Sequence, residues 1–257
     1  MNDREVARRV ALGAGKVLVA LRESSGASGR ALGAQGDRAS QAYIRRALAR
    51  LRPDDPILSE ESADDRRRLH AGRVWIVDPL DGTREYSEGR ADWAVHVALV
   101  VDGEPVAGAV ALPAYGRVRV SGPAPAGTPC PNPDLTILVS RTRPPEEAAR
   151  VAARLGAVLV PMGSAGAKTM AVVEGAAHAY LHAGGQYEWD SCAPVAVARA
   201  AGLFVARLDG SRPIYNQPNP WMPDLLVCRA EVAARILEAL EVAQRPGTRL
   251  NGHAVAH

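Results

Sequence analysis

The sequence predicts an α/β protein, with an α+β first half and an α/β second half. Three observations carry this. Two stretches of helical spacing precede a set of strands that includes a hairpin. A break at 121–134 then packs five prolines and two glycines into fourteen residues. Beyond the break, apolar runs of strand length alternate with helical ones, the pattern of sheet-and-crossover units. The break is the natural boundary, giving expected domains 1–133 and 134–257.

The elements follow in order. In residues 3–23, Val6, Val10, Ala14, Val17, Leu18 and Leu21 share one helical stripe. Gly26–Gly36 is rich in serine, glycine and alanine and reads as a mobile loop, and its place beside Asp37 invites the idea of a lid without deciding it. Asp37 then stands as candidate N-cap of a helix over 39–51 that Pro53 stops. A short apolar run at 56–59 leads into Glu60-Glu61, and 64–72 is charged and either loop or helix. Val74–Val77 has the composition of a buried strand. The runs 93–101 and 106–112 bracket Asp102-Gly103, a strong hairpin signal, and 118–120 adds a strand. The second half reads strand 135–139, helix 145–155, strand 157–160, helix 165–175, strand 179–182, helix 189–201, strand 225–228 and helix 230–242. From Arg245 the chain reads as a frayed tail.

Composition narrows the function. The 257 residues are 47% hydrophobic and 23% charged, ordinary values for a chain that buries its own core. The net charge of +3 is too small to mark a nucleic-acid polymer as partner. Three cysteines without a closely spaced pair fit neither a disulfide framework nor a zinc site. No uncharged run is long enough to span a bilayer, and the first residues lack a signal-peptide core, so a cytoplasmic protein is expected. Arginine carries almost all the positive charge, Lys16 and Lys168 being the only lysines.

The chemistry concentrates at Asp78-Pro79-Leu80-Asp81-Gly82-Thr83, directly after the buried strand. Carboxylates delivered to the end of such a strand are costly unless a cation offsets them. An oxygen-only donor set points to a hard ion, magnesium first. Glu60-Glu61, Asp37 and Asp190 likewise sit at the ends of apolar or flexible segments. Singly, each is better explained as a cap or a solvated turn. Together they suggest one acidic cleft suited to metal-assisted phosphoryl transfer, with two cations ~3.5–4 Å apart neutralising phosphate charge and activating water. Pro79 stiffens the turn, and the Leu80 carbonyl can face a metal. Gly82 and Thr83, if they open a helix, offer N–H groups to phosphate, and the Thr83 hydroxyl orients the attacking water.

Asp37, Glu60-Glu61, the 78–83 segment and Trp189-Asp190 together resemble the inositol monophosphatase superfamily of lithium-sensitive, magnesium-dependent phosphatases. The resemblance covers nearly the whole chain and implies a layered α-β-α-β-α sandwich. It implies that Glu60, Asp78 and the Leu80 carbonyl bind one magnesium, and Asp78, Asp81 and Asp190 a second. Asp37 with Glu60 would hold a weaker third and position the nucleophilic water with Thr83. Leu80, Asp81, Gly82, Thr83 and Asp190 would meet the substrate phosphate, with Glu61 outside the ligand set. Most metal ligands would thus lie in 1–133, with Asp190 in 134–257. Lithium would inhibit, and attack would be in line without a covalent enzyme intermediate. The family is often dimeric, which puts a homodimer among the expectations.

For the substrate, Val139-Ser140-Arg141-Thr142-Arg143, Ser164 to Lys168, and 182–194 resemble the bacterial bisphosphate nucleotidases of the CysQ branch. Ser140, Arg141, Ser164 and Lys168 would then contact a phosphonucleotide, with Lys168 or Arg141 meeting a second phosphate. The implied activity is removal of the 3′-phosphate from 3′-phosphoadenosine 5′-phosphate, and of its phosphosulfate analogue, in sulfate assimilation. The alternatives are inositol monophosphatase or fructose-1,6-bisphosphatase activity, and a phosphonucleotide-binding protein without turnover.

Overall fold

A computed structural model describes residues 1–122 and 128–244. Helices α1 (Asp3–Ser24) and α2 (Gly29–Leu51) come first. Strands β1 (Ile57–Ser59), β2 (Arg73–Asp81), β3 (Ala94–Val101), β4 (Glu104–Leu112) and β5 (Arg117–Val120) form one sheet in that order, with short helix α3 (Thr83–Ser87) after β2. Only β1–β2 is parallel in it. The hairpin falls where Asp102-Gly103 places it, both residues at positive φ.

The second half supplies β6 (Thr136–Ser140), α4 (Glu146–Leu155), β7 (Val158–Met162), α5 (Ala165–Val173), β8 (Ala179–Tyr187), α6 (Glu188–Ala200), β9 (Phe204–Ala206), β10 (Trp221–Cys228) and α7 (Ala230–Gln244). Their sheet runs β7-β6-β8-β10-β9. Three apolar cores define the layers. Helices α1 and α2 cover one face of the first sheet, around Trp75, Val97 and Leu99. Its other face packs on α5 and α6, which rest in turn on Tyr180, Leu225 and Val227 of the second sheet. The outer face of that sheet packs on α4 and α7 through Val151 and Ile236. The order is α-β-α-β-α, and alternating strand residues feed opposite cores.

Several expectations need correction. Gly29–Gly36 is helical, not a mobile loop or lid, and Asp37 lies inside α2 rather than capping it. The glycines that read as a break serve close approach instead. A Cβ on Gly33 would meet Thr83 Cγ2 and Ser87 Oγ at 2.7 Å, and one on Gly36 would meet Leu80 and Tyr86 at 3.0 Å. Helix α2 therefore lies against the 80–83 turn. The 74–77 strand extends to Asp81, with an irregularity between Asp78 and Asp81. The strands near 179 and 225 are also longer than their apolar runs, and β9 was not foreseen. The stretch 64–72 holds a 3₁₀ turn, Arg66–His70. Part of the proline-rich segment (123–127) and the expected tail lie outside the described residues. The three cysteines are unpaired, and no helix among the described residues is long and apolar enough to cross a membrane.

Candidate active site

Parallel pairing of β1 with β2 aligns Ser59 with Val77, so Glu60 emerges beside Asp78 at one sheet edge. Asp78 and Asp81 come from the irregular end of β2. Asp190 arrives from the second half of the chain, in the first turn of α6 in the central layer. It is not the N-cap residue: Tyr187 is, and Asp190 Oδ2 accepts the Tyr187 N–H at 2.6 Å. One carboxylate oxygen from each of Asp78, Asp81 and Asp190 lies within 4.8 Å of the others.

Each of the three is oriented by a backbone donor. Asp78 Oδ1 accepts the Leu80 N–H at 2.9 Å, closing the turn. Asp81 Oδ2 accepts the Gly166 N–H at 2.7 Å and the Ser164 hydroxyl at 2.5 Å. The second oxygen of each carboxylate has no protein donor among the described residues. Three buried or half-buried carboxylates, each with one oxygen tied down and one left over, form a donor set that fits a hard divalent cation.

The electrostatics agree. Burial, then Glu60, Asp81 and Asp190, push Asp78 well above the usual carboxylate range. Burial and Asp81 raise Asp190 to about 6. Glu60 stands at the cleft rim with its residue surface exposed, yet partial enclosure and the repulsion of Asp190, Asp37, Glu61 and Asp81 raise it to about 8. Burial and then Glu61 raise Asp37 to about 7. Asp81 is the exception: burial pushes it up, but His96, Ser164 and Gly166 together hold it at about 2. Mutual repulsion of this kind is what a bound cation relieves.

Around the trio, Thr83 Oγ1 donates to the Leu80 carbonyl at 3.1 Å and lies 3.4 Å from Asp37 Oδ1. Helix α3 starts at Thr83, with Gly82 before it in a left-handed conformation, so the first N–H groups of that turn lack helical partners. Glu61 is exposed and outside the trio. A cavity of about 450 Å³ joins Glu60, Asp81, Gly82 and Asp190 to Ser140, Arg141, Ser164 and Lys168. Two of these basic residues are already engaged. Arg141 pairs with Glu85 at 2.9 Å and Glu88 at 2.7 Å. Lys168 Nζ donates to the carbonyls of Ser164 (2.7 Å) and Gly163 (3.2 Å) over the Tyr180 ring, and burial lowers it to about 8. Ser164, held at positive φ, anchors Asp81 with its hydroxyl.

Sequence reasoning missed His96, Ser40 and Glu188. The β2–β3 register sets His96 opposite Asp78, with Nε2 3.2 Å from Asp81 Oδ2 and Nδ1 3.1 Å from the Trp189 carbonyl. A polar residue inside an otherwise apolar strand was the available signal. The Ser40 hydroxyl donates to the Pro79 carbonyl at 2.7 Å and ties α2 to the turn. Glu188, fully buried two residues before Asp190, accepts the N–H groups of Asn216 (2.6 Å) and Gln217 (2.7 Å).

Comparison with known proteins agrees with this geometry. The inositol monophosphatase family matches residues 4–245. The chain is 51% identical over 245 residues to the 3′-phosphoadenosine 5′-phosphate phosphatase of Mycobacterium tuberculosis (strain CDC 1551 / Oshkosh), covering 90% of this chain and 91% of that protein. It is 32% identical over 195 residues to the 3′(2′),5′-bisphosphate nucleotidase CysQ of Escherichia coli (strain K12), covering 71% and 78%. The crystal structure of CysQ from Bacteroides thetaiotaomicron superposes with a TM-score of 0.74 at 25% identity, over 88% of this chain and 97% of that one. The chain belongs to the inositol monophosphatase family of metal-dependent phosphatases.

Proposed function

We propose that this protein hydrolyses the 3′-phosphate of 3′-phosphoadenosine 5′-phosphate, giving AMP and inorganic phosphate. One observation carries the reading: a single cavity lined by Glu60 and by Asp81 and Asp190 of the carboxylate trio runs to a wall containing Arg141, Arg143 and Lys168. That division suits a substrate with one phosphate to be cleaved and a second, distant anionic group. The similarity to a 3′-phosphoadenosine 5′-phosphate phosphatase over most of both chains supports this choice of substrate.

Magnesium, two ions with a weaker third, would be held by Glu60, Asp78, the Leu80 carbonyl, Asp81, Asp190 and Asp37, and supplies charge neutralisation and acidification of water. The chain's own groups do the rest. Gly82 and Thr83 present N–H groups to the phosphate. Thr83 Oγ1, between Asp37 and the Leu80 carbonyl, orients the water for attack opposite the 3′-oxygen. A bond forms from the water oxygen to phosphorus, the phosphorus–O3′ bond breaks, and the ribose oxygen takes a proton in balance with the one the attacking water gives up. Ser164 and Gly166 keep Asp81 ionised and aimed throughout.

The test is phosphate release from 3′-phosphoadenosine 5′-phosphate, inositol 1-phosphate and fructose 1,6-bisphosphate at equal magnesium. The expected kcat/KM is at least roughly 100-fold higher for the nucleotide. A preference for either sugar phosphate overturns the substrate assignment. No release from any of the three leaves a phosphonucleotide-binding protein.

A further inference from the structure

Aromatic residues are scarce here, with one Phe, four Trp and six Tyr, and five of these eleven rings are fully buried: Trp75, Trp93, Tyr86, Tyr180 and Tyr215. Two rings break that pattern on the wall of the candidate active-site cavity. Tyr187 is 45% exposed and Trp221 48%. They face each other in register across β8 and β10, which puts both side chains on the same side of the sheet.

This wall is built. The Tyr187 ring stacks on Trp189, with centroids 4.7 Å apart and planes 11° from parallel. Trp221 lies against the β8 backbone at Gly185, where a Cβ would fall 2.7 Å from the indole nitrogen. Gly185 has φ +96°, so both its conformation and its missing side chain make room for the indole. The Glu188 N–H donates to the Pro220 carbonyl at 2.8 Å and fixes the approach to Trp221 against the start of α6. Gln186, between the bulge and Tyr187, lines the same cavity with both amide atoms buried and unpartnered among the described residues.

Leaving these two aromatic faces in water forgoes the burial free energy that the five buried rings gain. A phosphate, a ribose, an inositol or a fructose has no π face to cover them, whereas a purine does. We propose that Trp221 and Tyr187 form the base-stacking wall of the nucleotide subsite, and so choose nucleoside phosphates over sugar phosphates of equal charge. This inference rests on the phosphonucleotide reading of the site and names the residues that would enforce it.

AMP and ribose 5-phosphate carry the same phosphate and differ by the base, so the ratio of their dissociation constants isolates the stacking. Calorimetric titration of each in magnesium buffer measures it. The wild type is expected to bind AMP roughly 10- to 100-fold more tightly, the range for one stacked base. In Trp221→Leu the ratio should fall to within about threefold of unity, and Trp221→Phe, which keeps a ring, should retain most of it. Tyr187→Leu should lower the ratio in the same direction. A wild type that prefers AMP while both leucine variants keep its ratio overturns the wall alone. A wild type that does not distinguish the two ligands overturns the nucleotide reading with it.

Discussion

Replacing Asp78 with asparagine is expected to cut phosphate release at least ~1000-fold, because several kcal/mol of charge stabilisation vanish with one ligand. The same change should raise the melting temperature of the metal-free protein. Asp78 is almost fully buried among Glu60, Asp81 and Asp190, which hold its carboxyl well above the ordinary range. A carboxylate raised in this way destabilises the folded state once the pH exceeds its unfolded value, since the folded protein must then either carry a repelled charge or take up a proton. Asparagine removes the charge and can keep its oxygen on the Leu80 N–H. Magnesium reverses the ranking, because it stabilises the wild type by mass action and has little to bind in the variant. Thermal melts with and without magnesium, beside a phosphate-release assay, check all three statements. Retained turnover would remove Asp78 from the site.

Arg68→Ala should be the most damaging substitution outside the cavity. Arg68 is fully buried; it donates to Asp64 at 2.7 and 2.9 Å, to Asn216 Oδ1 at 2.7 Å and to the Gln217 carbonyl at 3.0 Å. Asn216 and Gln217 in turn donate their N–H groups to Glu188, and Asn216 sits at positive φ. Burial raises Glu188 to about 7, opposed by those two N–H groups and by Arg68. Deleting the guanidinium leaves a cavity, an unpaired Gln217 carbonyl, an Asp64 stripped of this partner and a buried Glu188 with less positive charge beside it. The expected cost is ~3 kcal/mol, at the low end for a broken buried pair because Asp64 is partly solvated. For a chain of this length that lowers the melting temperature by roughly 6–12 °C. Glu188 is the first residue of α6 and Asp190 the third, so kcat should also fall roughly 10- to 100-fold as Asp190 loses its place. Lysine at position 68 should not rescue either effect, since it cannot make the planar set of contacts. An unchanged melting temperature would show that the network is not structural.

The parts of the site legible in sequence were those whose local chemistry is odd. Asp78 and Asp81 end an apolar strand, and no ordinary strand needs them there. Asp102-Gly103 announced its hairpin through the positive φ both residues adopt. The misreadings have one cause: residues whose role depends on a distant neighbour look ordinary in the chain. Gly33 and Gly36 read as a loop because the surfaces they approach, Thr83 and Tyr86, lie about fifty residues away. Arg68 disappeared into a charged stretch that reads only as loop or helix, although it is sealed against Asn216. His96 stood out as a polar residue in an apolar strand, but its partner Asp81 lies on the neighbouring strand and is paired to it only by the fold. Tyr187 and Trp221 meet only through the irregular register of β8 and β10.

The proposed chemistry depends on one cation cluster assembled from both halves of the chain, with Asp190 from the second completing Asp78 and Asp81 from the first. Manganese titration followed by electron paramagnetic resonance, on the wild type and on Asp190→Asn, tests it most directly. The wild type is expected to bind at least two ions, with one of them weakened at least ~100-fold in the variant. Equal stoichiometry and affinity in the two proteins would contradict it.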